Sequence, residues 1–193
     1  MHYNSITMQI DINQSIQILI QGGLILYPTD TVWGIGCDAT NPEAVEKVFK
    51  LKQRHDSKAL ICLVADDRML SKYIQKIPDV AYDILDVSEE PITIIYDDAQ
   101  HLAPNLIAAD NSIAIRIPND EFCFQLLRKF NKPIVSTSAN ISGQPTPNSF
   151  KEISNEIIKG VDYVVNLHRD KVCAKPSSII KLSNDGKVQI IRK

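Results

Sequence analysis

Four groups of polar residues have the types and spacing to handle an anion: Pro28-Thr29-Asp30-Thr31, the basic trio Lys52, Arg54 and Lys58, the solitary Arg116, and the run from Ser136 to Gly143 reading "STSANISG". Each stands at the end of an apolar run or of an expected helix, where α/β folds commonly place their sites. Lysine and arginine neutralise phosphate charge, and hydroxyls and amides bond its oxygens. That is the equipment of phosphoryl or nucleotidyl transfer, in which the protein positions reactants and stabilises charge rather than supplying a nucleophile. No Ser-His-Asp or Cys-His arrangement is legible from spacing, so nothing specific points to covalent catalysis.

Local explanations compete with each group. "PTDT" reads equally as a tight exit turn, the basic trio as a solvated helix end that suits the helix dipole, and the hydroxyl run as a turn or N-cap. Ser136, Thr137, Ser138, Asn140 and Ser142, however, follow directly on the apolar "PIV". Five hydrogen-bonding side chains exceed what one turn needs, and a polyanion or ribose site accounts for them better.

Bulk properties narrow the class. The chain has 193 residues, 44% of them hydrophobic, enough for the core of one domain. No apolar run approaches the ~20 residues that span a bilayer, and the N-terminus lacks signal-peptide character, so a cytoplasmic protein without membrane contact is expected. Cys37, Cys62, Cys123 and Cys173 are scattered and do not combine with the histidines at zinc-ligand spacing. No protein metal site is expected. Net charge is -2, yet residues 47–58 hold five Lys/Arg against one Asp, and residues 79–110 hold eight acids and no Lys/Arg. A basic face that attracts anions is the expectation.

The elements that must position these groups follow from periodicity. Ile12, Ile16, Leu19 and Ile20 predict a helix stopped by Gly22 and Gly23, followed by strand "LILY". Asn41 and Pro42 read as N-cap and first-turn proline of a helix ending near Lys52. Strand 59–65, helices 66–76 and 79–87, and strands 91–96 and 112–118 come next. In the last, Ile113, Ile115 and Ile117 share one face, which turns Ala114 and Arg116 to the other. A helix burying Phe122, Leu126, Leu127 and Phe130, strand "PIVS", a helix around Phe150 to Ile158, strand "VDYVVNL" and a hairpin about "SNDG" complete the chain. The expected fold is a single α/β domain around one twisted, mixed, open sheet flanked by helices, with an antiparallel element at the C-terminal end. The Rossmann and Walker A signatures are absent, and "GIG" at 34–36 alone is weak.

With "YPTDTVWGIGCDAT", Lys52-x-Arg54 with Lys58, "IAIRIP", "VSTSANISGQPTP" and "SSII" assembled in this order, the chain resembles the YrdC/TsaC-type threonylcarbamoyl-AMP synthases from about Ile12 to Arg192. The resemblance implies an open sheet around a positively charged concave cavity, in the minimal form without an extra C-terminal domain. It implies the synthesis of L-threonylcarbamoyladenylate and pyrophosphate from ATP, L-threonine and bicarbonate, with Mg2+ accompanying ATP. The product would pass to a downstream threonylcarbamoyl transferase complex that modifies tRNA beside the anticodon.

By the same resemblance, Lys52, Arg54, Ser138 and Asn140 form the catalytic quartet. ATP falls to those four with Lys58, Ser112, Thr146 and Arg192, and threonine to Thr31, Arg116, Ser136 and Ser177. A planar guanidinium at Arg116 independently suits a carboxylate or carbamate. Three departures bear on loop shape: "SEEPIT" in place of a Pro-Gly-Pro turn, Trp33 where tyrosine is common, and "KPSSII" without a preceding glycine. Two other readings stay open: a double-stranded RNA or tRNA-binding module without catalysis, and a related carbamoyl-adenylating domain.

Overall fold

The computed structural model describes residues 5–54, 60–173 and 175–193. The chain opens with helix α1 (Ser5–Ile20), which starts earlier than its apolar spacing suggests and buries Asp11, Ile12, Ser15 and Leu19. Ile20, expected inside, is 70% exposed. The helix stops as expected: Gly22 takes φ +70°, its N–H bonds Leu19 O, and Gly23 N–H bonds Ile18 O. That paired closure satisfies carbonyls the helix would otherwise leave bare.

Strand β1 (Ile25–Tyr27) is followed by an element that the periodicity does not predict, strand β2 (Gly34–Gly36), paired antiparallel to it. "GIG" carries too little side chain to show a strand pattern. Its cause lies elsewhere: the fully buried Tyr27 ring lies across it. A Cβ on Gly36 would meet Tyr27 Cε1 at 2.7 Å and Val135 O at 2.9 Å. The room at Gly36 is therefore filled by Tyr27 rather than held open for a ligand.

Helix α2 (Pro42–Leu51) is capped by Asn41, whose side chain accepts from Glu43 N and Ala44 N, and ends at Lys52. Strand β3 (Ile61–Leu63), the one-turn helix α3 (Asp67–Leu70), α4 (Asp79–Val87), β4 (Ile92–Tyr96) and β5 (Ile113–Arg116) follow. Helix α3 is much shorter than the expected 66–76. Helix α5 (Glu121–Phe130) buries the four expected residues, is capped by Asp120, and ends at Asn131 with φ +56°.

Strand β6 (Ile134–Ser138) runs two residues beyond the expected "PIVS", which places Thr137 and Ser138 on a strand as well as Ser136. After a 3-10 turn at Phe150–Glu152 come α6 (Asn155–Gly160), β7 (Tyr163–Val164) and the expected hairpin of β8 (Ser178–Leu182) and β9 (Val188–Arg192), with Gly186 at φ +83° in its turn. The strands make one mixed sheet in the order β7-β1-β2-β6-β3-β5-β4-β8-β9. The β7/β1, β3/β5 and β4/β8 pairs are parallel and the others antiparallel.

Register carries the sheet toward function. Ser136 pairs with Ile61, Ile61 with Ala114, and Ala114 with Ile95, so four neighbouring strands present one aligned row. Arg116 lies two residues along β5 from Ala114 and therefore on the same face, as alternation requires. No helix among the described residues is long and apolar enough to cross a membrane.

Gly36→Ala tests the Tyr27 packing. Overpacking against a buried ring and a strand carbonyl is expected to cost about 1–3 kcal/mol, read as a lowered midpoint in urea unfolding with an unchanged slope.

Candidate functional site

Two cavities lie within reach of the polar groups. The larger, about 720 Å3, is lined by Asp30, Asp66, Asp67, Asp86, Glu89 and Glu90. Asp30, Asp66 and Glu90 are paired with Arg116, Arg128 and Lys175, which leaves Asp67, Asp86 and Glu89 to repel a triphosphate. The smaller, about 340 Å3, lies over the aligned row of the sheet, and its charged lining residues are Arg54, Arg116 and Arg192. Its size falls within the roughly 300–1,000 Å3 of small-molecule sites. Electrostatics, not volume, selects the smaller one.

Eight of the twelve residues singled out in the sequence line this cavity: Thr31, Arg54, Arg116, Ser136, Ser138, Thr146, Ser177 and Arg192. Its apolar wall comes from Ile61, Ile95, Ile179 and Ile191. Lys58 lies outside the described residues. Ser112 is not among the lining residues; it sits before β5 with its hydroxyl committed to Asp110 Oδ1 at 2.6 Å.

Lys52 and Asn140 stand behind the lining rather than in it. Lys52 is 2% exposed, not a solvated helix end. Its Nζ donates to the carbonyls of Ser138 at 2.5 Å and Asn140 at 2.6 Å, while its own carbonyl accepts from Ser142 N at 2.9 Å. The end of α2 and the segment after β6 are thereby fastened together at three points. Burial, then the nearby Arg54 charge, push the Lys52 ammonium down to about 8. Its acceptors are dipoles rather than a carboxylate, so they offset the lost hydration only in part. Asn140 donates through Nδ2 to Ile141 O and Gln144 O, and its Oδ1 is buried without a partner among the described residues.

The basic stretch of residues 47–58 is not one face. Lys47 reaches Gly22 O, Lys50 pairs with Glu46, Lys52 is buried, and Arg54 turns to the cavity.

Around Thr31 the hydrogen bonds have a fixed direction. Thr29 Oγ1 donates to Val32 O at 2.8 Å, which uses its only proton. In the 3.0 Å contact between the Thr29 and Thr31 hydroxyls, Thr31 is therefore the donor. Thr31 is left as an acceptor toward Arg116 Nη2, at 3.4 Å. Arg116, 4% exposed, gives its Nη1 end to the Asp30 carboxylate. At the other wall, Ser177 Oγ meets Thr93 Oγ1 at 2.8 Å, and Ser177 O accepts both Nε and Nη2 of Arg192. The segment after β6 is backed by Trp33 against Phe150, centroids 4.9 Å apart, with the Arg169 guanidinium 4.6 Å over the Phe150 ring.

Thr29, Asp30 and Thr93 are supporting residues that sequence reasoning did not select. Thr29 and Asp30 stood inside a motif already in view, and Thr93 is a hydroxyl in an otherwise apolar strand. Such a residue needs a buried partner, and Ser177 supplies it. Among the described residues no group of three or more His, Cys, Asp or Glu could hold a metal ion.

Comparison with known proteins agrees with this architecture. Residues 17–193 match the Sua5/YciO/YrdC family model, which carries the description telomere recombination. The chain is 38% identical over 161 residues to the threonylcarbamoyl-AMP synthase of Pseudoalteromonas translucida, covering 82% of this chain and 86% of that one. It superposes on the crystal structure of E. coli YciO with a TM-score of 0.83 at 26% identity, covering 96% of this chain and 89% of the other. P. abyssi Sua5 complexed with L-threonine gives a TM-score of 0.79 at 24% identity over 89% of this chain, which spans only 50% of that protein; the likeness is one of fold. The family match over residues 17–193, the similarity to the named synthase and the shared fold lead to one assignment: the chain belongs to the Sua5/YciO/YrdC family.

Proposed function

We propose that this chain is an L-threonylcarbamoyladenylate synthase, a nucleotidyltransferase that acts in the cytoplasm on ATP, L-threonine and bicarbonate. The observation that carries the reading is the arginine-lined cavity, on which eight of the selected residues converge, in a chain whose relative of 38% identity is named for this reaction. The product would be consumed by a threonylcarbamoyl transferase complex acting on tRNA.

The chemistry needs two anions brought together. The threonine amine adds to carbon dioxide derived from bicarbonate and loses a proton, giving a carbamate. A carbamate oxygen attacks the α-phosphorus of ATP, the bond to the β-phosphate oxygen breaks, and pyrophosphate leaves. Mg2+ enters with ATP as part of the substrate. Arg54 and Arg192 offset the repulsion between the reactants, and the Ser136, Ser138, Thr146 and Ser177 hydroxyls orient them. Arg116 takes the amino-acid carboxylate and Thr31, as an acceptor, meets a substrate donor. Asn140, behind the lining, holds the segment after β6 through its bonds to Ile141 O and Gln144 O.

Three measurements test this. Pyrophosphate release from MgATP should require both threonine and bicarbonate and yield the adenylate by mass spectrometry. ATP binding that never turns over with threonine would remove the synthase reading. Ser138→Ala should lower kcat/KM about ten- to hundredfold with the melting temperature unchanged, because Lys52 holds the Ser138 carbonyl and not its hydroxyl. The third concerns pH: with Lys52 titrating near 8, its charge is present below that pH and lost above it. ATP affinity by calorimetry should therefore hold steady below about pH 8 and fall progressively from there to about pH 9.5.

A further inference from the structure

Asp30 stands at the boundary of the two cavities. It lines the acid-rich one, while its ion-pair partner Arg116 lines the other, so the pair forms part of the wall between them. The carboxylate is held from two sides: Oδ1 accepts from Arg116 Nη1, and Oδ2 accepts from the backbone N–H of Asn119 at 3.0 Å. Asn119 lies three residues beyond Arg116, the last residue of β5, so Asp30 ties the exit of β5 to the "PTDT" segment. The guanidinium is thus gripped at Nη1 by Asp30 and contacted at Nη2 by Thr31.

We propose that Asp30 is a positioning residue for amino-acid recognition, which locks the Arg116 guanidinium so that its free edge meets the substrate carboxylate. This rests on the reading of Arg116 as the carboxylate contact. Two physical consequences follow. A planar fork recognises a carboxylate well only when its plane is fixed, and a clamped fork loses less freedom on binding. Without Asp30, the unpaired carboxylates of the neighbouring acid-rich cavity, Asp86 and Glu89, would compete for the 4% exposed cation. Turning that way would withdraw the guanidinium from the substrate. Asp30 acts through Arg116 and touches no reacting atom.

The test compares threonine with threoninol, which keeps the amine and hydroxyl but lacks the carboxylate, in adenylate formation by wild type, Asp30→Asn and Arg116→Gln. Asp30→Asn is expected to raise the threonine KM at least tenfold, leave the ATP KM within about twofold, and shrink the preference for threonine over threoninol about tenfold. Asp30→Glu should recover part of that preference. A general structural defect would lower both substrates alike and leave their ratio intact, which would overturn the proposal. If Arg116→Gln erases the preference while Asp30→Asn keeps it, Arg116 stands and Asp30 does not. If Arg116→Gln also keeps it, the underlying carboxylate contact is wrong and the proposal falls with it. Should Asp30→Asn fail to fold, guanidinium NMR of the wild-type protein decides: separate Arg116 Nη proton resonances show a clamped group, and a single averaged resonance contradicts it.

Discussion

The site depends on a lysine ammonium buried at the end of a helix and bonded to two backbone carbonyls. Burying such a charge is costly, and the pKa pushed down to about 8 expresses that cost. Neutral carbonyls hold the charge without cancelling it. The Lys52 grip on Ser138 O and Asn140 O, with Ser142 N returned to Lys52 O, fixes the path of the chain immediately beyond β6. The Ser138 hydroxyl and the Asn140 amide inherit their places from that path. Lys52 thus builds the site from behind, and its charge acts across the wall.

A second constraint is steric. The Tyr27 ring fills the space over Gly36, which only a glycine can vacate, and β2 can then pair with both β1 and β6. That pairing sets Gly34 opposite Ser138 and Ile35 opposite Thr137. The hydroxyl-bearing end of β6 is consequently anchored in the sheet interior on one side and by Lys52 on the other. Arg116, Ser136, Ile61 and Ile95 are carried by strands inside the sheet, where main-chain ladders on both edges limit movement. Small cavities need this stiffness, because a misplacement of about 1 Å at a reacting centre can cost around a hundredfold in rate.

How much of this was legible in the residues follows from how local each cause is. The Asp-Gly hairpin, the Asn41 cap and the exit of α1 at Gly22 depend on neighbours within a few positions, and all three were readable. The facing of Arg116 opposite Ile113 and Ile115 followed from strand alternation alone. Strand β2 was not readable, since two of its three residues lack side chains and Gly36 answers to the Tyr27 ring, outside the strand. The inward turn of Lys52 was equally hidden, because its acceptors lie more than 80 positions downstream. Asp30 could be seen in its motif, but its partner sits 86 positions on. Ser112, carried over by family likeness, donates its hydroxyl to Asp110, two positions away.

Charge distribution resolves the choice between the two cavities, and the account stands on that choice. A crystal structure with threonine and a non-hydrolysable ATP analogue is the most direct test. The account predicts the triphosphate beside Arg54 and Arg192, with the amino-acid carboxylate on Arg116. Nucleotide bound in the cavity lined by Asp66, Asp86 and Glu89, or threonine bound away from Arg116, would contradict it.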